Sequence, residues 1–192
     1  MRISPDIPWN RYGLIAELAS RLEHTSLQFG KTVLQKMVYL LQELYGIECG
    51  YEFTLYTYGP FDSLLLLDLD QVEALEGVSV RPLHSITGGY LIKPGTANAA
   101  VREKAAGFLD ALGTKRAMDD LVREFGRSSA KDLELLATMV YVDKDARKSG
   151  ELLTRRELAK RVREIKIRFS TMEVDDAISR LEGKGYLNVP EA

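Results

Sequence analysis

One cysteine, two histidines and one tryptophan are the only members of the rarest side-chain types in this 192-residue chain. With Cys49 alone, no intramolecular disulfide can form, which fits a reducing compartment. Cys49 sits between Glu48 and Gly50 at the end of a helical stretch, and no basic flank lowers its thiol pKa as a nucleophile requires. His24 and His84 fall in separate loops with no carboxylate at ligand spacing, and a zinc site needs three or four ligands. No metal and no cofactor are expected. Long apolar runs are also missing. The longest, Leu64 to Leu67, is far too short to span a bilayer, and Met1 to Trp9 carries one Arg, two prolines and an Asp where a signal peptide has an apolar core. A cytoplasmic chain without membrane contact is the expectation. Nor does charge of one sign dominate: 26 Lys and Arg face 28 Asp and Glu, for a net charge of −2. A dedicated nucleic-acid binder often shows a basic balance, so any basic face has to be local.

The motifs of catalysis are equally scarce. No GxxxxGK[ST], GxGxxG or GxSxG pattern occurs. Asp68 and Asp70 flank Leu69 and point to different sides of a helix, so they make no acid–base pair. Ser128-Ser129 has no His neighbour and reads as a cap; Gly88-Gly89 reads as a turn. The expectation is a protein that is not an enzyme, with no catalytic residues.

What the chain does have is ordinary globular stock, 45% hydrophobic and 28% charged. At this length roughly 70% of the unfolded surface is buried on folding, enough for a core without staples. Asn10 can cap a helix through about Leu22, with Leu14, Ile15, Leu18 and Leu22 at the helical period. After Gly30 a central helix carries Val33, Leu34, Met37, Val38, Leu40, Leu41 and Leu44, closed by Gly46. Tyr51 to Tyr58 alternates and predicts a strand; Gly59-Pro60 predicts a turn with Pro60 opening a helix over Phe61 to Glu76. Val78 to Leu83 and Gly89 to Lys93 are short strands, parted at Thr87-Gly88-Gly89, that resemble a wing.

Beyond Pro94-Gly95 the pattern is helical, from Asn98 to Leu112 and then through Met118, Leu121, Val122 and Phe125 to Gly126. Ser129 and Asp132 form a capping-box pattern, as do Thr154 with Glu157 and Ser170 with Glu173. Leu158, Val162 and Ile165 are expected to face inward on one of these helices, and Val174, Ile178 and Leu181 on the next. The charged stretch Asp143 to Ser149 is the best linker candidate, and Gly183 to Leu187 leads into a short strand. The fold class is mainly α with short β elements (α+β). A winged-helix-like unit spans residues 1–95, and a helical region, 96–192, ends in a second helix-turn-helix-like unit, the two fused or continuous.

Two stretches share a wider pattern. Lys31-Thr-Val-Leu-Gln35-Lys36-Met-Val-Tyr39 resembles the K-x-x-L-Q-K helix of the YwgA-like group of uncharacterised prokaryotic proteins. Tyr51 to Asp62, with Tyr56, Tyr58, Gly59, Pro60 and Phe61 and with Asp68-Leu69 beyond, resembles the Y-G-P block of the same group. More distantly the chain is similar to the phage-associated GepA/SocA-like (Panacea) domain found in some antitoxins. Asp62 stands where that group usually has Ser, and the C-terminal helical half is longer than in antitoxin-type proteins. The resemblance implies a winged-helix-like fold, an interaction role and no known chemistry.

Two surfaces follow. For a protein partner or self-association the candidate residues are Gln35, Lys36, Tyr39, Tyr56, Tyr58, Pro60 and Phe61. Read without the family, Gln35 and Lys36 make a solvated edge mid-helix, and the tyrosine rings pack against the Leu34–Leu41 helix. For DNA the candidates are Arg156, Lys160, Arg163, Lys166 and Arg168, a basic helix suited to phosphates. Against DNA, the following helix opens with Glu173, Asp175 and Asp176, where a base reader more often has Arg, Lys, Asn or Gln. The expected function is a non-enzymatic interaction or regulatory module, phage- or toxin–antitoxin-related, with a DNA-binding transcriptional regulator as the alternative.

Overall fold

The computed structural model describes residues 7–26, 28–83 and 88–190. His84, Thr87, Leu27 and the opening stretch Met1 to Asp6 lie outside the described residues. The order of elements is α1 (Trp9–Leu22), α2 (Lys31–Tyr45), β1 (Thr54–Tyr56), β2 (Gly59–Phe61), α3 (Ser63–Ala74), β3 (Val78–Pro82) and β4 (Tyr90–Pro94). Then follow α4 (Asn98–Lys104), α5 (Ala106–Leu109), α6 (Leu112–Phe125), α7 (Ala130–Lys148), α8 (Arg155–Ile165) and α9 (Thr171–Gly183). The class is mainly helical with two small antiparallel sheets, β1–β2 and β3–β4.

Helix α2 is the axis. Every residue from Val33 to Leu41 is buried, so this helix is covered on all sides, as its wide apolar surface requires. It packs against α6, α7 and β2, and one continuous core runs from Tyr12 in α1 to Val189. Gly46 ends α2 in the left-handed conformation, φ 67°, and returns its N–H to the carbonyls of Leu41 and Gln42. Helix α1 begins at Trp9 on Pro8, so Asn10 lies inside the helix rather than capping it.

The alternating run Tyr51 to Tyr58 pairs over three residues only. Thr54, Leu55 and Tyr56 oppose Phe61, Pro60 and Gly59, and Thr57-Tyr58 makes the turn. Gly59-Pro60 is thus a strand where a turn was expected; Pro60 can sit there because an edge position asks no N–H of it. Asp62 takes the capping role, its carboxylate accepting from the Leu64 N–H at 2.8 Å, and α3 starts after it.

The expected helix over 98–112 is broken at Ala105, where α1 comes closest: a Cβ on Gly13 would lie 2.2 Å from that of Ala105. Leu112 and Gly113 open α6 instead of closing a helix. The supposed linker Asp143 to Ser149 is the last turns of α7. Asp143 and Ala146 are buried there, and Arg147 binds Asp143 at 2.8 Å and the Asn188 carbonyl at 2.8 Å. All three capping boxes form. After α9 the chain forms no strand among the described residues, where a short strand was expected. Leu187 and Val189 are buried, and the Pro190 carbonyl accepts from the Arg155 N–H at 3.1 Å.

Candidate functional site

The β1–β2 hairpin folds back over α2, and this decides the fate of the first candidate set. The Gln35 amide donates to the Asp62 carbonyl at 2.7 Å and accepts from the Asp62 N–H at 3.0 Å, standing in for a neighbouring strand. The Lys36 ammonium donates to the Pro60 carbonyl at 2.7 Å. Both side chains are 2% exposed, so the expected solvated edge is instead the floor beneath the hairpin. Tyr39 is buried edge-on to Phe53, with ring centroids 5.2 Å apart. Pro60 is buried and Phe61 half-buried. Tyr56 and Tyr58, expected against α2, stand 66% and 57% exposed at the hairpin tip. The seven residues therefore do not make one accessible surface.

A buried charged cluster lies under the same hairpin. Glu134 of α7 accepts from the Lys166 ammonium at 2.9 Å and from Arg168. Lys166 also donates to the Thr57 carbonyl at the hairpin tip. Burial pushes the Lys36 ammonium down to about 8; Glu134 opposes that shift and Lys166 adds to it. Gly59 closes the cluster with φ +87°, and a Cβ there would lie 2.9 Å from the Thr138 hydroxyl. A small cavity of about 170 Å³ opens alongside, between Lys36, Tyr56, Tyr58 and Phe61. These groups hold the hairpin to α2, α7 and the α8–α9 turn.

The second candidate set divides. Lys166 is buried in the cluster just described and cannot meet a phosphate. Arg168 is half-exposed, paired with Glu134 and lying over the Phe169 ring at 5.1 Å. Arg156, Lys160 and Arg163 remain, at i, i+4 and i+7 along the outer side of α8, opposite the buried Leu158 and Val162. Arg156 and Arg163 have no partner among the described residues; Lys160 reaches Glu164 only at 3.9 Å. By contrast Arg155 is tied to α9 through the Asp175 carbonyl, the Ser179 hydroxyl and Glu182, and Arg161 pairs with Glu151. Ile165, expected inward, is the last residue of α8 and is 43% exposed.

Between α8 and the start of α9 runs a groove of about 930 Å³. On α8 it is lined by Arg155, Arg156, Lys160 and Arg163 together with Glu164, on α9 by Thr171 and Asp175, and Ala159, Phe169 and Ile167 give it apolar surface. Ile167 is 88% exposed, and Met172, in the first turn of α9 and outside the groove lining, is 71% exposed. The carboxylates of Asp175 and Asp176 have no cation partner among the described residues, whereas Glu173 is held at about pKa 2 by Lys131 and by the cap at Ser170. The periodicity of α8 shows its basic ridge in the sequence. Ile167 and Met172 carry a fainter signal, apolar residues out of phase with the buried stripes on either side.

Other reactive groups are consumed by structure. Burial pushes the Cys49 thiol up to about 12. Asp68 is buried between Arg11, at 2.7 Å, and the Tyr51 hydroxyl, at 2.9 Å. His24 is exposed beside Glu23. Among the described residues no group of three His, Cys, Asp or Glu side chains could hold a metal ion, and no helix is long and apolar enough to cross a membrane. No family model matches the chain, and no curated protein matches it.

Proposed function

We propose that the chain is a non-enzymatic protein-interaction module of winged-helix type, and that its working face is the α8–α9 groove. The observation that carries this reading is a groove in which Arg156, Arg163 and Asp175 have no charged partner among the described residues, with Ile167 exposed beside them. A partner that covers them gains both contacts and charge pairs. The order α7, α8, short turn, α9 and C-terminal tail, with the tail bound at the Arg155 N–H, supports a helix-turn-helix-like unit. Three helices followed by the β3–β4 hairpin give the N-terminal part the same outline.

The resemblance to the YwgA-like group supports an interaction role, and the more distant likeness to the GepA/SocA-like (Panacea) domain supports a phage-related or toxin–antitoxin setting. In this chain its two motif blocks bind each other, Gln35 to Asp62 and Lys36 to Pro60, so they serve as a signature of the fold and leave the working face elsewhere.

A transcriptional regulator is the second reading, favoured by the ridge of Arg156, Lys160 and Arg163. Asp175 and Asp176 count against it, since they sit where phosphates and base edges would approach. Titration of mixed duplex DNA at low and moderate salt decides between the readings. The interaction module shows no saturable binding. Tight, salt-steep binding that is abolished by Arg156→Glu, Lys160→Glu and Arg163→Glu overturns it.

A further inference from the structure

A second cavity, of about 270 Å³, lies apart from the α8–α9 groove, between α2, residues 51–53 and the last turns of α7. The charged stretch that runs through those last turns supplies one side of it, through Lys144, Asp145 and Lys148. The rings of Tyr39, Phe53 and Tyr141 fix its walls, with the Tyr39 centroid 5.2 Å from that of Phe53 and 6.2 Å from that of Tyr141. Gln42 holds the adjoining chain in place, bonding the Tyr51 N–H at 3.2 Å and the Tyr51 carbonyl at 3.1 Å.

Tyr39 is only 2% exposed, yet its hydroxyl has no hydrogen-bond partner among the described residues. A buried phenol ordinarily has one. Burial pushes its pKa up, and Glu43, Tyr141 and Asp145, which line the same cavity, add to the rise. The free hydroxyl therefore faces the cavity in the company of those groups. The lining carries three carboxylates, Glu43, Glu52 and Asp145, against two ammoniums, Lys144 and Lys148. Lys144 lies 3.8 Å from Glu43, which leaves Glu52 and Asp145 against Lys148. One negative charge is in excess. Among the described residues no group of three His, Cys, Asp or Glu side chains could hold a metal ion, so a bare dication lacks its ligands here. Carboxylates and a phenol oxygen accept hydrogen bonds, and a monocation rich in N–H groups answers both the charge and the acceptors.

We infer that this cavity binds a small organic monocation with N–H donors, an alkylguanidinium or alkylammonium, whose charged head lies among Tyr39, Glu52 and Asp145. The space equals that of about nine water molecules, enough to enclose such a ligand. Its charge partners, Glu52 and Asp145, are exposed, so binding is weak, with Kd on the order of 1 mM.

Titration of the full chain with butylguanidinium, followed by amide NMR, tests this. Saturable shifts gather at Tyr39, Glu52, Phe53, Tyr141 and Asp145 and leave α8 and α9 unmoved. Tyr39→Phe, which removes the hydroxyl alone, weakens binding about fivefold, and Asp145→Asn weakens it about threefold. Lys148→Gln tightens binding about twofold, because a competing cation is gone. Butyltrimethylammonium, of equal charge but without N–H groups, binds about fivefold more weakly or worse. Asp145 and Lys148 are exposed, so their variants fold whatever Tyr39→Phe does. The inference is overturned by the absence of saturable shifts at about ten times that Kd, by an Asp145→Asn variant that binds as wild type does, or by butyltrimethylammonium binding equally well. Preferential binding of butanoate, lost in Lys148→Gln, also overturns it and makes the cavity an anion site.

Discussion

Two sets of cations in this molecule look alike in sequence and live opposite lives. Under the β1–β2 hairpin, Lys36 and Lys166 are buried, bonded to the Pro60 and Thr57 carbonyls, and gathered around Glu134. On α8, Arg156 and Arg163 lie exposed with no partner among the described residues, and Lys160 reaches only Glu164, at 3.9 Å. Lys160 and Lys166 are six positions apart in one charged stretch, yet one belongs to the interior and the other to the surface. A charged side chain is structural when carbonyls and carboxylates already use its donors, and available when nothing does. The lesson is that a basic run must be divided by burial before any function is assigned to it.

The comparison breaks most visibly at Glu134. Glu134→Gln removes the only carboxylate contacting Lys166 among the described residues and leaves a buried ammonium uncompensated; urea unfolding should show a loss of about 3–5 kcal/mol. A loss within about 0.5 kcal/mol, the range of an ordinary surface change, would make the two regions equivalent. Next comes Gly59→Ala, which places a Cβ 2.9 Å from the Thr138 hydroxyl at φ +87°. It should cost about 1–3 kcal/mol by the same measurement.

Titration of stability sharpens the contrast further. The Lys36 ammonium titrates at about 8 in the folded chain and near 10.5 when free. Between those values the unfolded chain binds more protons, so this group makes stability rise with pH across the window, and its burial penalty is fully present below 8. Cys49, pushed up from 9.0 to about 12, acts in the opposite sense above pH 9. Lys36→Met should therefore flatten the rise in unfolding free energy from urea titration between pH 8 and 9, by on the order of 1 kcal/mol. An unchanged slope would mean that Lys36 titrates as an exposed lysine does. Smallest of all is Arg163→Gln, which should leave the urea midpoint within about 0.5 kcal/mol of wild type. A larger loss would place that ridge in the structural class.

What was legible in the sequence follows the range of the interaction. The capping boxes at Ser129, Thr154 and Ser170 span three residues and are written in the chain as they form. So is the apolar surface of α2, closed by Gly46. The ridge Arg156, Lys160, Arg163 was visible too, because a helix repeats its faces. Gln35 and Lys36 were not, because their partners lie 27 and 24 residues away on a hairpin whose pairing is short. Lys166 finds its carbonyl partner 109 residues away, and nothing local distinguishes it from Lys160. The linker expected at Asp143 to Ser149 failed for the same reason. Its charges are drawn into α7 by Arg147 bonding Asp143 and the distant Asn188 carbonyl.

Acetylation of the folded protein, followed lysine by lysine with mass spectrometry, tests the division between the two regions most directly. Lys160 should be labelled rapidly, while Lys36 and Lys166 should stay protected until the chain unfolds. Labelling of Lys36 and Lys166 at the rate of Lys160 in the folded protein would contradict the account.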